Sequence, residues 1–139
     1  MDATGFLREL EQLKDDRLCA LVAGGLGSVA AAPDPEGGSQ VRLLQIALAN
    51  EISVSELAAA WVPSTPEWDV KLTLAQQAGD EERHFKLVET RLRELGVSME
   101  DFAVPGVNKL FEYLRSLSST VEKIAAGQFT LESIAYRVN

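Results

Sequence analysis

Residues 40–95 read QVRLLQIALANEISVSELAAAWVPSTPEWDVKLTLAQQAGDEERHFKLVETRLREL. Their apolar side chains recur three and four positions apart, which is the spacing of one face of an α-helix. This pattern predicts one helix from Gln40 to Trp61 and a second from about Glu67 to Leu95, with Gly96 as the C-terminal stop of the second. Two prolines between the segments force a turn, so the two helices are expected to pack side by side.

The rest of the chain completes an all-α prediction. Ser64 or Thr65 is expected to cap the second helix, and a last helix is predicted from about Asn108 to the C-terminus. Residues 1–39 are expected to form a short N-terminal helix and a Gly/Pro-rich loop, and residues 40–139 an antiparallel helical bundle with three long helices. The core line predicted for the last helix consists of Leu110, Leu114, Leu117, Val121, Ile124, Gln128, Leu131 and Ala135.

Composition and charge narrow the classes of function. The chain has 139 residues and a formal net charge of −8, so a nucleic-acid partner, which needs a basic surface, is not expected. No run reaches the roughly 20 consecutive apolar residues of a membrane span, and the charged N-terminus does not resemble a signal peptide. A cytoplasmic protein without a membrane is therefore expected. The single cysteine, Cys19, excludes an internal disulfide and is predicted to be a small core residue.

Three ionisable residues fall on apolar helix faces. Glu81 and His84 are three positions apart, so both project from one face of their helix. Glu51 is the one full charge between Leu43 and Ser55, and it lies on the apolar stripe of the preceding helix. Because a buried charge is costly without a partner, and one metal ion can bind all three groups, the pattern predicts a metal site. Carboxylate and imidazole ligands suit iron or manganese.

The same residues resemble a known family. Glu51, followed thirty residues later by Glu81-x-x-His84, resembles the first half of the ferritin-like superfamily. The stretches AWVPSTPEWDVK (60–71), DEERHF (80–85) and RLRELG (91–96) look like segments of uncharacterised bacterial ferritin-like proteins. This resemblance implies a bundle that holds two irons, or iron and manganese, and an oxidoreductase or oxygenase that uses dioxygen or peroxide on an unknown small-molecule substrate.

In that family a further helix contributes another glutamate. Glu132 is the preferred candidate here because it lies beside the apolar line of the last helix, and Glu122 is the alternative. Glu122 has the more usual family spacing, but it neighbours Lys123 on a face that is expected to be solvated. Tyr136, one turn after Glu132, is a candidate hydrogen-bond donor to a ligand or to a group near the metals.

The chain departs from the family because it has one histidine and no second Glu-x-x-His. Three explanations stay open: the chain is a piece of a longer protein, a second copy completes the site in a homodimer, or the site is degenerate. The last explanation leads to a different function, a metal-free helical module that binds itself or a partner. Iron oxidation and storage by a multimer, without an organic substrate, is the third function considered.

Overall fold

A computed structural model describes residues 2–21, 23–24, 38–100, 102–104, 106 and 108–134. Within these residues the protein is all-helical and contains no strand, which confirms the all-α prediction. The helices are α1 (Ala3–Leu21), α2 (Gly38–Trp61), α3 (Trp68–Glu94), α4 (Lys109–Ser116), α5 (Thr120–Ile124) and a π-helical segment (Ala125–Leu131).

The chain divides into two compact units. The first consists of Met1–Pro33 and Ala125–Asn139, and the second of Asp34–Ile124. The second unit therefore contains the four helices α2 to α5, and the first contains α1 and the π-helical segment.

A hairpin of α2 and α3 forms the centre of the second unit and confirms the two helices predicted around the proline turn. The two helices run antiparallel, because a later residue of α2 contacts an earlier residue of α3. Ser55 Oγ donates to the carbonyl of Ala78 at 2.9 Å, and four residues earlier Glu51 approaches His84. Side chains of both helices fill the core between them, namely Leu48, Leu57, Ala58, Leu74 and Leu92.

α2 is also long and apolar enough to cross a membrane, judged by length and composition alone. The core helix of a soluble protein passes the same test, so this one helix is weak evidence. The absence of a membrane partner stays a prediction of the sequence.

The turn after α2 differs from its prediction. Neither Ser64 nor Thr65 caps α3, which begins after Glu67 without a side-chain cap. The Thr65 hydroxyl instead donates to the carbonyl of Trp61 at 2.8 Å. This carbonyl lies at the C-terminus of α2, where the last carbonyls have no partner within the helix, so the hydroxyl stabilises the end of α2 rather than the start of α3.

The predicted last long helix is wrong, because the chain breaks it after Ser116. Leu117 has an extended backbone (φ −66°, ψ 130°), and α5 then restarts from Ser119. Ser119 and Glu122 form a reciprocal cap in which the Ser119 amide donates to Glu122 Oε2 and the Glu122 amide donates to Ser119 Oγ. This Ser-x-x-Glu capping box begins a new helix, which explains the interruption.

The predicted core line of this region is wrong at three of its positions, and its last member, Ala135, lies outside the described residues. Of its first members, Leu110, Val121 and Ile124 are exposed, whereas Leu114 is buried together with Phe111. Lys123, which was expected on a solvated face beside Glu122, is only 1% exposed. Its ammonium donates to the Ser64 carbonyl at 3.1 Å and to Ser64 Oγ at 2.8 Å, so it is buried with polar partners.

The first unit contains a longer N-terminal helix than predicted. α1 extends over 19 residues, and Asp2 caps its start by accepting from the Gly5 amide at 2.7 Å. The ammonium of Lys14 lies 4.9 Å from the centre of the Phe129 ring, a cation–π contact between α1 and the π-helical segment. Cys19 is exposed, so its prediction as a core residue is wrong.

The end of α3 provides a stability prediction. Gly96 has a φ of +81°, and its amide and that of Val97 bond back to the carbonyls of Arg93 and Leu92, which is a Schellman motif. Gly96→Ala is therefore expected to lower the free energy of unfolding by about 1 kcal/mol, because an L-residue is strained at this φ.

Gly79 is the matched control, because it lies exposed inside α3 and an added methyl group meets no atom within 4 Å at either glycine. Gly79→Ala is expected to raise the free energy of unfolding by about 0.5–1 kcal/mol, since alanine loses less backbone freedom in a helix. Urea denaturation of both variants measures the difference, and equal signs would contradict the prediction.

Candidate metal centre

Three of the four predicted metal ligands lie together between α2 and α3. Glu51 projects from α2, and Glu81 and His84 project from α3, with one ligand atom of each within 4.8 Å of the others. His84 Nδ1 lies 2.9 Å from Glu81 Oε2 and 3.6 Å from Glu51 Oε2. Two carboxylates and one imidazole therefore converge on one point of the hairpin.

Two features of the helices position the three side chains: the residue spacing on α3 and the register between α2 and α3. The three-residue spacing of Glu81 and His84 places both on one face of α3. The register of the hairpin then brings Glu51 opposite them, and the hydrogen bond from Ser55 to the Ala78 carbonyl holds that register one turn away. The cluster thus lies on two helices rather than on a loop.

The cluster is buried on one side and open on the other. The Glu81 side chain is 8% exposed, Glu51 is 21% exposed and His84 is 57% exposed. Both oxygens of the most buried group have partners, since Gln77 donates to Glu81 Oε1 at 3.5 Å and His84 meets Oε2. The carboxylate of Glu81 is therefore held in place, while the imidazole remains accessible to solvent.

The two carboxylates also affect the protonation of the imidazole. The hydrogen bond with Glu81 raises the pKa of His84 above its usual value of 6.5, against the opposing effect of burial. The negative charges of Glu81, Glu51 and Asp80 raise this pKa further. In the metal-free protein the local negative charge therefore favours the protonated, positively charged form of His84.

The remaining predicted site residues are Glu132, Glu122 and Tyr136. Glu132, on the first unit, has an exposed side chain, and its role as a metal ligand stays a prediction. Glu122, the alternative, caps α5 by accepting hydrogen bonds from Ser119, whose hydroxyl lies 2.8 Å away. These hydrogen bonds lower the pKa of Glu122. Tyr136 lies outside the described residues.

A groove that sequence reasoning missed runs beside the cluster. It has a volume of about 360 Å³ and contains both carboxylates in its wall. The other lining residues follow the two carboxylates directly or one turn later on each helix, and they are Ile52, Ser55, Glu56, Glu82, Phe85 and Lys86. The sequence does place apolar residues next to the carboxylates, since Ile52 follows Glu51 and Phe85 lies one turn after Glu81. The groove also requires the register of the hairpin, which these local positions do not define.

The donor set agrees with a divalent iron or manganese ion. Two carboxylate oxygens and one imidazole nitrogen suit either metal, and a doubly charged cation would balance both carboxylates. The buried carboxylate of Glu81 is held by the Gln77 amide, as outer-shell partners hold metal ligands in general. No protein-family model, no curated protein and no solved structure matches this chain.

Proposed function

We propose that Glu51, Glu81 and His84 bind iron or manganese, and that the protein is a ferritin-like oxidoreductase that uses dioxygen or peroxide on an unknown substrate. The observation that carries this proposal is the convergence of the three ligand atoms within 4.8 Å around a buried carboxylate. A bound ion of this kind would supply redox chemistry with dioxygen or peroxide.

The residues of the chain have separate tasks in this proposal. Glu81, whose Oε1 accepts from the Gln77 amide at 3.5 Å, provides a carboxylate oxygen from the buried side of the cluster. Glu51 adds the second negative charge from the opposite helix. His84 must release its proton to offer a nitrogen lone pair, and its accessible ring gives that proton a path to solvent.

A dinuclear centre needs more ligands than one cluster offers. We propose that a second copy of the chain, related by a two-fold axis, contributes its own Glu51, Glu81 and His84, which gives four carboxylates and two imidazoles. The open side of the cluster at His84 supports this arrangement. So do large apolar side chains that are exposed on α2 and α3, namely Leu43, Ile46, Leu72 and Leu87.

Metal content and solution mass test the proposal together. We expect about one iron or manganese ion per chain in a dimer purified without chelator, since two clusters would share two ions.

His84→Ala should abolish uptake of added Mn²⁺ or anaerobic Fe²⁺, and its helix content should be unchanged. A folded wild-type protein that stays empty after iron addition would contradict the proposal and favour a metal-free helical module. Rapid iron oxidation without another reductant would instead favour iron handling.

The proposal predicts a defined pH dependence of metal binding. Because the proton on His84 competes with the metal, the affinity for Mn²⁺ should fall by about tenfold for each pH unit below the pKa of His84. Glu81 raises this pKa, so the fall should begin above pH 6.5 as the pH decreases. Calorimetric titration between about pH 5.5 and about pH 8 measures the slope across the range in which histidine titrates. A constant affinity over this range would contradict the assignment of His84 as a ligand.

A further inference from the structure

We infer that the groove beside the cluster binds a neutral, apolar organic molecule next to the metal, an inference that rests on the proposed function. The groove contains Glu51 and Glu81 in its wall, so its occupant would lie against the two residues that hold the ion. His84 is not among its lining residues. The exposed side of the cluster at His84 and the groove are therefore separate surfaces, and each can bind a different partner.

The charges around the groove argue for a neutral occupant. Glu56 pairs with Arg115 of α4 at 2.7 Å, and Glu82 lies 4.0 Å from the ammonium of Lys86. A divalent ion would balance the remaining two carboxylates of the wall. The groove then has no excess of either sign with which to select a charged molecule.

The hydrogen-bonding groups of the groove lead to the same conclusion. Ser55 contributes the one hydroxyl among the lining residues, and it donates its proton to the Ala78 carbonyl. The other polar side chains of the wall are the ligands and the ion pairs already described. The Lys86 ammonium is then the one side-chain donor that the wall offers to the acceptor groups of a polar molecule, whereas an apolar molecule needs no donor.

Two apolar side chains form the binding surface. Ile52 of α2 and Phe85 of α3 are half-buried, and both line the groove. The ring of Phe85 is held edge-on by Phe102, with ring centres 6.0 Å apart and planes at 65°. The aromatic wall is thus positioned before a ligand binds, and the volume of the groove falls within the range of small-molecule sites.

Toluene is a suitable probe because it is neutral and apolar. We expect saturation-transfer NMR to detect toluene on the metal-free chain, and Mn²⁺ loading to speed the relaxation of its ring protons. Ile52→Asp should weaken toluene binding by about tenfold or more, because it removes the apolar wall and adds a charge. Val121→Asp introduces the same charge at an exposed residue of α5 that does not line the groove, and it should leave binding unchanged.

A second variant covers the case in which Ile52→Asp fails to fold. Ile52→Trp fills the groove without adding charge and should also exclude toluene. Binding of toluene to either folded variant as tightly as to wild type would overturn the inference. So would tighter binding of benzylammonium than of toluene to the manganese-loaded chain. Toluene binding to a chain that takes up no Mn²⁺ would refute the proposed function and the metal-side position, but would still show an apolar site.

Discussion

Glu81→Gln is expected to remove most of the affinity for divalent metal. The substitution keeps the shape of the side chain but replaces the most buried carboxylate of the cluster by a neutral amide. Loss of an outer-shell partner already weakens metal binding by about 10–100-fold, and loss of a direct ligand should exceed that. Titration of wild type and variant with Mn²⁺ measures the change in dissociation constant.

Glu82→Gln is the matched control, because Glu82 is the next residue, has an exposed side chain and is not part of the cluster. The two variants have the same composition and net charge, so a difference between them reflects position. A similar loss of affinity in both would indicate general electrostatic attraction instead of a site. Unchanged binding in Glu81→Gln would contradict the assignment of Glu81 as a ligand.

The single histidine of the chain gives this prediction a readout that needs no metal. The charged hydrogen-bond acceptor Glu81 is the main cause of the raised pKa of His84. In metal-free Glu81→Gln this pKa should therefore be lower than in wild type, whereas in Glu82→Gln it should stay close to the wild-type value. NMR titration of the one imidazole measures all three proteins. An equal pKa in wild type and Glu81→Gln would show that the two side chains do not meet in solution.

The α2–α3 hairpin could be predicted from the sequence because its signals are local. Helical spacing defines both segments, and each boundary has a residue that ends or redirects the chain, such as Gly96 with its positive φ. The sequence could also predict that Glu51, Glu81 and His84 lie close together, for the same reason. Two helices joined by a short turn have few possible registers, and each residue lay on a predicted inward face.

The C-terminal region could not be predicted in the same way. The apolar spacing from Leu110 onward suits one long helix, but the capping box at Ser119 and Glu122 is a stronger local signal and begins a new helix there. Lys123 shows a different limit. Its burial depends on acceptors at Ser64, 59 residues earlier, and periodicity within a segment contains no information about such a distant partner.

The largest expected loss of stability follows from Trp61→Ala. Trp61 is 3% exposed at the end of α2, and its indole Nε1 donates to the Leu114 carbonyl of α4 at 3.1 Å. Removing a buried aromatic side chain of this size costs about 3–5 kcal/mol in free energy of unfolding. The hydrogen bond accounts for a smaller part, so Trp61→Phe, which keeps most of the ring, should cost less than Trp61→Ala.

Trp68 makes this prediction a controlled one. It lies seven residues later, at the start of α3, and is 74% exposed. Trp68→Ala removes the same side chain from the other end of the proline turn and should change the free energy of unfolding by no more than about 0.5 kcal/mol. Urea denaturation followed by circular dichroism avoids dependence on tryptophan fluorescence, and equal losses in the two variants would contradict the packing of α4 against α2.

The Trp61→Ala variant also tests the proposed metal site. Glu51 lies ten residues before Trp61 on α2, about 15 Å along the helix axis, and neither Trp61 nor α4 contributes a ligand. Folded Trp61→Ala protein should therefore bind Mn²⁺ nearly as tightly as wild type, although it unfolds at lower urea concentration. Conversely, Mn²⁺ should raise the stability of both proteins by a similar amount, because it binds the folded hairpin that they share. A loss of metal affinity in Trp61→Ala would show that the cluster depends on the packing of α4.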